Sequence, residues 1–285
     1  MTENVALFVM SLLAAIALNL GANQLGFYRF PLHRTSSIHP FLPFKSVAIV
    51  FGIYLSLTTF VAKYLGMVVL NWHRMHHTLP SSRSMSAFQL VIVGSVLLLL
   101  ALYMRSLSSA LRRHIIKKGS SSIAQDCFIG AATWIVSFPV VVVIGQIVDV
   151  LVNLLTGFKI YEQVAVRYFK NALHSPSSLI IALFLILIVA PAIEEILFRG
   201  FLQTYLKQKM ARNWAIICSS LAFACLHFSQ DQGLGNISLL ISLFTFALFL
   251  GFIYERQSSL FASFSLHVTF NTISTVRILF FSDHG

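Results

Sequence analysis

Charged residues are scarce in this sequence. Asp, Glu, Lys and Arg make up 10% of its 285 residues, whereas 57% are hydrophobic. A soluble domain contains about 25% charged residues, so water cannot be the solvent for most of this surface. The composition therefore excludes an ordinary soluble domain and indicates a polytopic membrane protein.

Cysteine is equally sparse. Cys127, Cys218 and Cys225 all lie in apolar stretches, and no two of them form a CxxC pair. A disulfide framework and a thiolate zinc site both need regularly spaced pairs of cysteines. The sequence therefore indicates neither, and we interpret the three cysteines as small core residues.

Long apolar runs dominate what remains, and about 20 apolar residues cross a hydrocarbon core of ~30 Å. They are too continuous for the alternating pattern of barrel strands, so the spans must be helices. We predict an all-α polytopic bundle of about eight transmembrane helices. The first run lacks the basic start and cleavage site of a signal peptide and is interpreted as a retained helix. The runs are Val5–Leu20, Ser46–Leu70, Phe88–Met104, Phe128–Leu155, Ser178–Ala190, Trp214–Phe228, Ile237–Tyr254 and Leu260–Phe281.

The formal net charge of +11 could suggest a nucleic-acid partner. The only dense basic cluster lies between two apolar runs and is formed by Arg112, Arg113, Lys117 and Lys118. A juxtamembrane anchor is the better interpretation, so we expect a lipid bilayer and no nucleic acid as partner.

A polar stretch, Asn71–Ser86, interrupts the apolar runs and contains His73, His76 and His77. Its composition predicts a solvated loop. A histidine cluster can also bind metal, and the sequence leaves that alternative open.

Acids are the rarest charged groups, and two of the nine are adjacent, at Glu194 and Glu195. A charge at the centre of a membrane helix costs about 2.5–3.5 kcal/mol, which implies partners or a water-filled cavity unless the pair marks the membrane boundary. Neighbours on a helix point about 100° apart, whereas residues four apart share a face. Glu195 is therefore predicted to pair with Arg199, leaving Glu194 free to face a cavity.

Three more polar side chains, His227, His267 and Asn271, lie in apolar helices at depths that bring them near Glu194. A carboxylate can take a proton from water, an imidazole can orient that water, and donors can stabilise an oxyanion. Alternatively, Glu194, His227 and His267 could hold a zinc ion that generates hydroxide. Buried acids and histidines also serve as proton relays in membrane transporters, which is a competing interpretation.

The same residues form three motifs of a known family. EEILFR matches its EExxxR signature, FACLH its FxxxH signature and HVTFN its HxxxN signature, in the same order. The sequence thus resembles the CAAX-protease and bacteriocin-processing (CPBP, or Abi) intramembrane endopeptidases over about Ser177–Phe281. HExxH, GxSG and GxGD motifs of other intramembrane proteases are absent from the sequence.

The resemblance implies a helical bundle with a conical intramembrane cavity. It implies that Glu194 is the general base, that His227 is its partner on the water, and that His267 and Asn271 hold the oxyanion. The family is often called metalloprotease, but its prenyl proteases are better described by a metal-free glutamate mechanism. We therefore expect either no cofactor or Zn²⁺.

We predict an intramembrane endopeptidase acting on a membrane-embedded or lipidated peptide, with Glu195 and Arg199 supporting the site. Residues 1–175 would form N-terminal helices without a matched motif, and residues 176–285 the catalytic core. The expected location is the bacterial inner membrane. A non-catalytic scaffold or immunity protein of the same fold is the remaining alternative.

Overall fold

The computed structural model describes residues 2–30, 40–157, 164–173 and 175–281. These residues form helices and contain no strand, which confirms the predicted all-α bundle. In chain order the helices are α1 (Thr2–Gln24), α2 (Phe44–Met75), α3 (Ser82–Ser106), α4 (Ser109–Ile116), α5 (Ile123–Thr156), α6 (Val164–Ala172), α7 (Pro176–Leu206), α8 (Arg212–Cys225), α9 (Gly235–Gln257) and α10 (Leu260–Phe281).

Each predicted apolar run overlaps one of these helices, although the run Trp214–Phe228 extends three residues beyond α8, and the short helices α4 and α6 were not predicted. Helices α2, α3, α5, α7 and α9 are long and apolar enough to cross a membrane. Helix α8 has 14 residues, which corresponds to about 21 Å and is less than the hydrocarbon thickness. A helix of this length cannot cross the hydrocarbon by itself.

The loop predicted for Asn71–Ser86 is shorter than expected. Helix α2 continues to Met75 and α3 begins at Ser82. The hydroxyl of Ser81 accepts a hydrogen bond from the Ser84 backbone N–H at 3.1 Å, which caps the first turn of α3. The loop prediction was wrong at both ends because polar residues can cap and continue helices as well as form loops.

Helix α5 packs directly on the C-terminal helices. The Ser265 hydroxyl of α10 donates to the Cys127 carbonyl of α5 at 2.8 Å. A Cβ atom at Gly130 would lie 2.1 Å from the carbonyl oxygen of Ala262, so only glycine allows this approach. Segments 1–175 and 176–285 are therefore packed against each other, and their division into separate units stays a prediction.

A ladder of polar contacts fixes the register of α7 against α9. Its members recur every four residues on both helices, so they lie on one face of each. Because the ladder begins one turn after Glu195, it holds that part of α7 in place. The contacts are Arg199 to the Ala247 carbonyl at 3.2 Å, Gln203 to the Gly251 carbonyl at 3.1 Å, and Lys207 to the Glu255 carboxylate at 2.5 Å.

Candidate active site

The α7 backbone changes its hydrogen-bonding pattern on both sides of Glu194. A π-helical segment, Leu185–Val189, precedes a short α-helical turn, Ala190–Glu194, and a second π-helical segment, Glu195–Gln203, follows it. Such π-helical segments occur frequently at functional sites. The acids predicted as the site therefore lie where α7 departs most from a regular helix.

Pro191 gives a physical reason for the first change. It has no backbone N–H to donate. The N–H of Ala190 donates to the Leu185 carbonyl, so neither residue bonds the carbonyl of Ile186. The side-chain amide of Asn271 donates to that carbonyl instead, at 2.9 Å.

Asn271 therefore joins α10 to the distorted turn of α7. One of its two amide N–H groups is used in the bond to Ile186. The sequence did not predict this contact. The role of Asn271 as a donor to the oxyanion stays a prediction.

Glu195 and Arg199 form the ion pair that their spacing predicts. Arg199 Nη1 lies 3.2 Å from Glu195 Oε1, and each side chain is 1% exposed. The guanidinium also lies 4.7 Å from the centroid of the Phe223 ring, within cation–π range. Two opposite charges thus neutralise each other inside the bundle.

Glu195 has a second partner that the sequence did not reveal. Its Oε1 lies 2.9 Å from Nδ1 of His267, 72 residues further along the chain. Because an ionised carboxylate only accepts hydrogen bonds, Nδ1 carries the hydrogen. The other ring nitrogen of His267, Nε2, lies 3.6 Å from Glu194 Oε2. Glu195 therefore orients His267 toward Glu194.

The apolar run predicted a helix that continues to Phe228. Helix α8 ends at Cys225 instead, and His227 lies just beyond it. Its Nδ1 lies 2.9 Å from the carbonyl oxygen of Phe223. That carbonyl is among the last four of α8, which have no partner within the helix. Since a carbonyl only accepts, Nδ1 carries the hydrogen, and Nε2 lies 3.8 Å from Glu194 Oε1.

Glu194 is thus faced by two imidazole Nε2 atoms. Separations of 3.6 Å and 3.8 Å are too long for good direct hydrogen bonds, so the two imidazoles do not satisfy the Glu194 oxygens. The side chain of His227 is 31% exposed and that of His267 5%. The site is therefore open on the His227 side and closed on the His267 side.

The predicted zinc ligands do not form a metal-binding arrangement. Over the described ranges, no three His, Cys, Asp or Glu side chains are placed to hold a metal ion. This result covers Glu194, His227 and His267 as well as the histidines near residue 75. We therefore assign no chemical step to a metal, and the zinc alternative stays a prediction.

Two aromatic residues complete the surroundings of the histidines. The ring of Phe223 lies 4.8 Å from that of His227, and the ring of Phe246 lies 5.3 Å from that of His267, centroid to centroid. Phe223 opens the FxxxH motif and could be found from the sequence. Phe246 is one of 26 phenylalanines and carries no such signal.

Comparison with known families finds a match to the C-terminal part of the chain. Residues 176–273 match the family model described as type II CAAX prenyl endopeptidase Rce1-like. This segment is Rce1-like. The predicted resemblance to the CAAX proteases is thereby confirmed, and the Rce1-like family is a protease family. The match over this segment supports, in general terms, a CAAX-type intramembrane protease.

The Rce1-like segment contains all six predicted site residues: Glu194, Glu195, Arg199, His227, His267 and Asn271. Residues 1–175 lie outside it. The family description specifies neither a metal nor a glutamate mechanism. No curated protein and no solved structure matches the chain significantly.

Proposed function

We propose that this protein is an intramembrane endopeptidase that hydrolyses a peptide bond of a membrane-embedded or lipidated peptide, using water activated by Glu194. One observation carries the proposal: Nε2 of His227 and Nε2 of His267 both face the Glu194 carboxylate, at 3.8 Å and 3.6 Å. Its proposed location is the bacterial inner membrane.

The first step is the activation of water. A water held between the Glu194 carboxylate and His227 Nε2 gives a proton to Glu194 as its oxygen attacks the scissile carbonyl carbon. The partial exposure of His227 leaves room for the peptide and water on that side. His227, fixed by the Phe223 carbonyl, directs the water.

The second requirement is a donor for the oxyanion that the attack creates. His267 is closely packed, and its Nδ1–H donates a hydrogen bond to Glu195, so a protonated His267 can direct Nε2–H into the site. Donors fixed before the reaction stabilise developing charge without reorganisation. In the last step the carbon–nitrogen bond breaks, and protonated Glu194 returns its proton to the leaving amine.

A cleavage assay with the purified protein in detergent tests the proposal, with a lipidated peptide as reporter. Glu194→Gln keeps the shape of the side chain but removes the base, so kcat should fall about 10²- to 10⁴-fold. Asp149→Asn, the same acid-to-amide change on α5, is the matched control and should cleave at the wild-type rate. Full activity of Glu194→Gln would refute the proposed role.

A second experiment measures cleavage after chelation and tests whether the reaction needs a metal ion. We expect cleavage to continue after treatment with a strong chelator, because the proposed reaction uses the Glu194 carboxylate to activate water. Loss of activity that only added zinc restores would instead assign a metal-assisted reaction to Glu194, His227 and His267.

A further inference from the structure

Helix α2, from the part of the chain outside the matched segment, packs antiparallel to α7 in a defined register. The rings of Phe44 and Tyr205 lie 5.7 Å apart, and those of Phe51 and Phe198 lie 5.4 Å apart, centroid to centroid. The two contacts are seven residues apart on each helix and run in opposite directions. Advancing along α2 therefore means moving back along α7 by the same amount.

This register brings Tyr54 to the level of Glu194. Tyr54 is three residues beyond Phe51, an advance of about 4.5 Å along α2, and Glu194 is four residues before Phe198 on α7. Residues three apart on a helix share a face, so Tyr54 points toward α7 as Phe51 does. The ring of Tyr54 also packs on the buried cluster that contains Ile193.

The Tyr54 hydroxyl is not used in a side-chain contact. Among the hydrogen bonds of the described residues, none joins this hydroxyl to Glu194 or to another side chain. The hydroxyl oxygen is also not one of the fully buried polar atoms that lack a partner, so it borders accessible space.

The proposed reaction requires hydrogen-bond donors for the oxyanion, and two of those near Glu194 are already in use. One amide N–H of Asn271 is already bonded to the Ile186 carbonyl, and Nδ1–H of His267 is bonded to Glu195. Oxyanion stabilisation generally relies on more than one fixed donor. A phenol O–H on α2 would add a donor from a helix other than α10.

We infer that Tyr54 is a further catalytic residue, whose hydroxyl donates a hydrogen bond to the scissile carbonyl oxygen as that oxygen becomes an oxyanion. The inference rests on the proposed function. It means that the active site is completed by α2 and is not contained in residues 176–273 alone.

The test compares Tyr54→Phe with Tyr103→Phe in the same cleavage assay. Removing one oxyanion donor lowers kcat about 10²- to 10³-fold, so Tyr54→Phe should lose this much while KM is unchanged. Tyr103 is also partly buried and lies on α3, with its ring 6.0 Å from that of Phe201. Removing its hydroxyl in Tyr103→Phe should leave kcat unchanged.

Three results for Tyr54→Phe would overturn the inference. The first is an unchanged kcat, and the second is a fall in kcat that is explained by a lowered unfolding temperature. The third is a pH profile of kcat whose acidic limb is shifted while its plateau is unchanged. The last would assign the hydroxyl to Glu194 rather than to the substrate. Glu194→Gln, measured alongside, separates the two claims. If it stays active, the proposed function fails too, whereas an unchanged Tyr54→Phe beside an inactive Glu194→Gln refutes only the role of Tyr54.

Discussion

Replacing Arg199 by methionine should destabilise the protein, because it leaves the carboxylate of Glu195 buried without its positive partner. Both side chains are 1% exposed, and Arg199 also donates to the Ala247 carbonyl and contacts the Phe223 ring. Methionine has a similar length and fills most of the space. The change therefore removes the charge and its hydrogen bonds more than the packing.

Breaking a buried ion pair by removing one partner costs about 3–5 kcal/mol. The free energy of unfolding should fall by this amount in Arg199→Met. In the double variant Glu195→Gln/Arg199→Met neither charge is left, and most of that loss should be recovered, since buried pairs replaced as a whole are often close to neutral. Activity should not recover, because His267 has lost the carboxylate that orients it.

The assay is equilibrium unfolding in mixed detergent micelles, with the cleavage rate measured on the same samples. The expected pattern is a destabilised single variant and a double variant that is stable but slow. A single variant as stable as the wild type would refute the cost assigned to breaking the ion pair. A double variant with full activity would refute the argument that Glu195 orients His267.

Two further predictions concern stability. Asn271→Leu leaves the Ile186 carbonyl without its donor and should lower the free energy of unfolding by about 1–3 kcal/mol, measured in the same micelles. Burial, followed by the charge of Lys207, lowers the pKa of Lys118 from 10.5 to about 8, although Glu255 acts in the opposite direction. The folded state then binds fewer protons than the unfolded one between these values, so stability should rise as the pH increases from about 8 to about 10.5. Lys118→Met should flatten this rise, and an unchanged slope would contradict the assignment.

The helical fold could be predicted from the sequence because the bilayer leaves few alternatives. Continuous apolar runs must satisfy their backbone groups internally, and each run became a helix. The ends were harder to place. Ser81 caps α3 and His227 follows the end of α8, and both depend on side-chain bonds that polarity alone does not reveal.

The site was predictable where its contacts are local. The spacing of Glu195 and Arg199 gave their ion pair, since four residues on a helix share a face. The bond from His267 to Glu195 joins residues 72 apart, and no local rule determines it. The same holds for Asn271 and Ile186, because that bond depends on a carbonyl left free by a π-helical segment.

The most direct test of the account is single-turnover cleavage in water labelled with heavy oxygen, in the wild type and in Glu194→Gln. If Glu194 activates water, the label should appear in the new carboxylate of the product after one turnover, and the rate should fall about 10²- to 10⁴-fold in the variant. Label in the side chain of Glu194 instead of the product, or an unchanged rate in Glu194→Gln, would contradict the central claim.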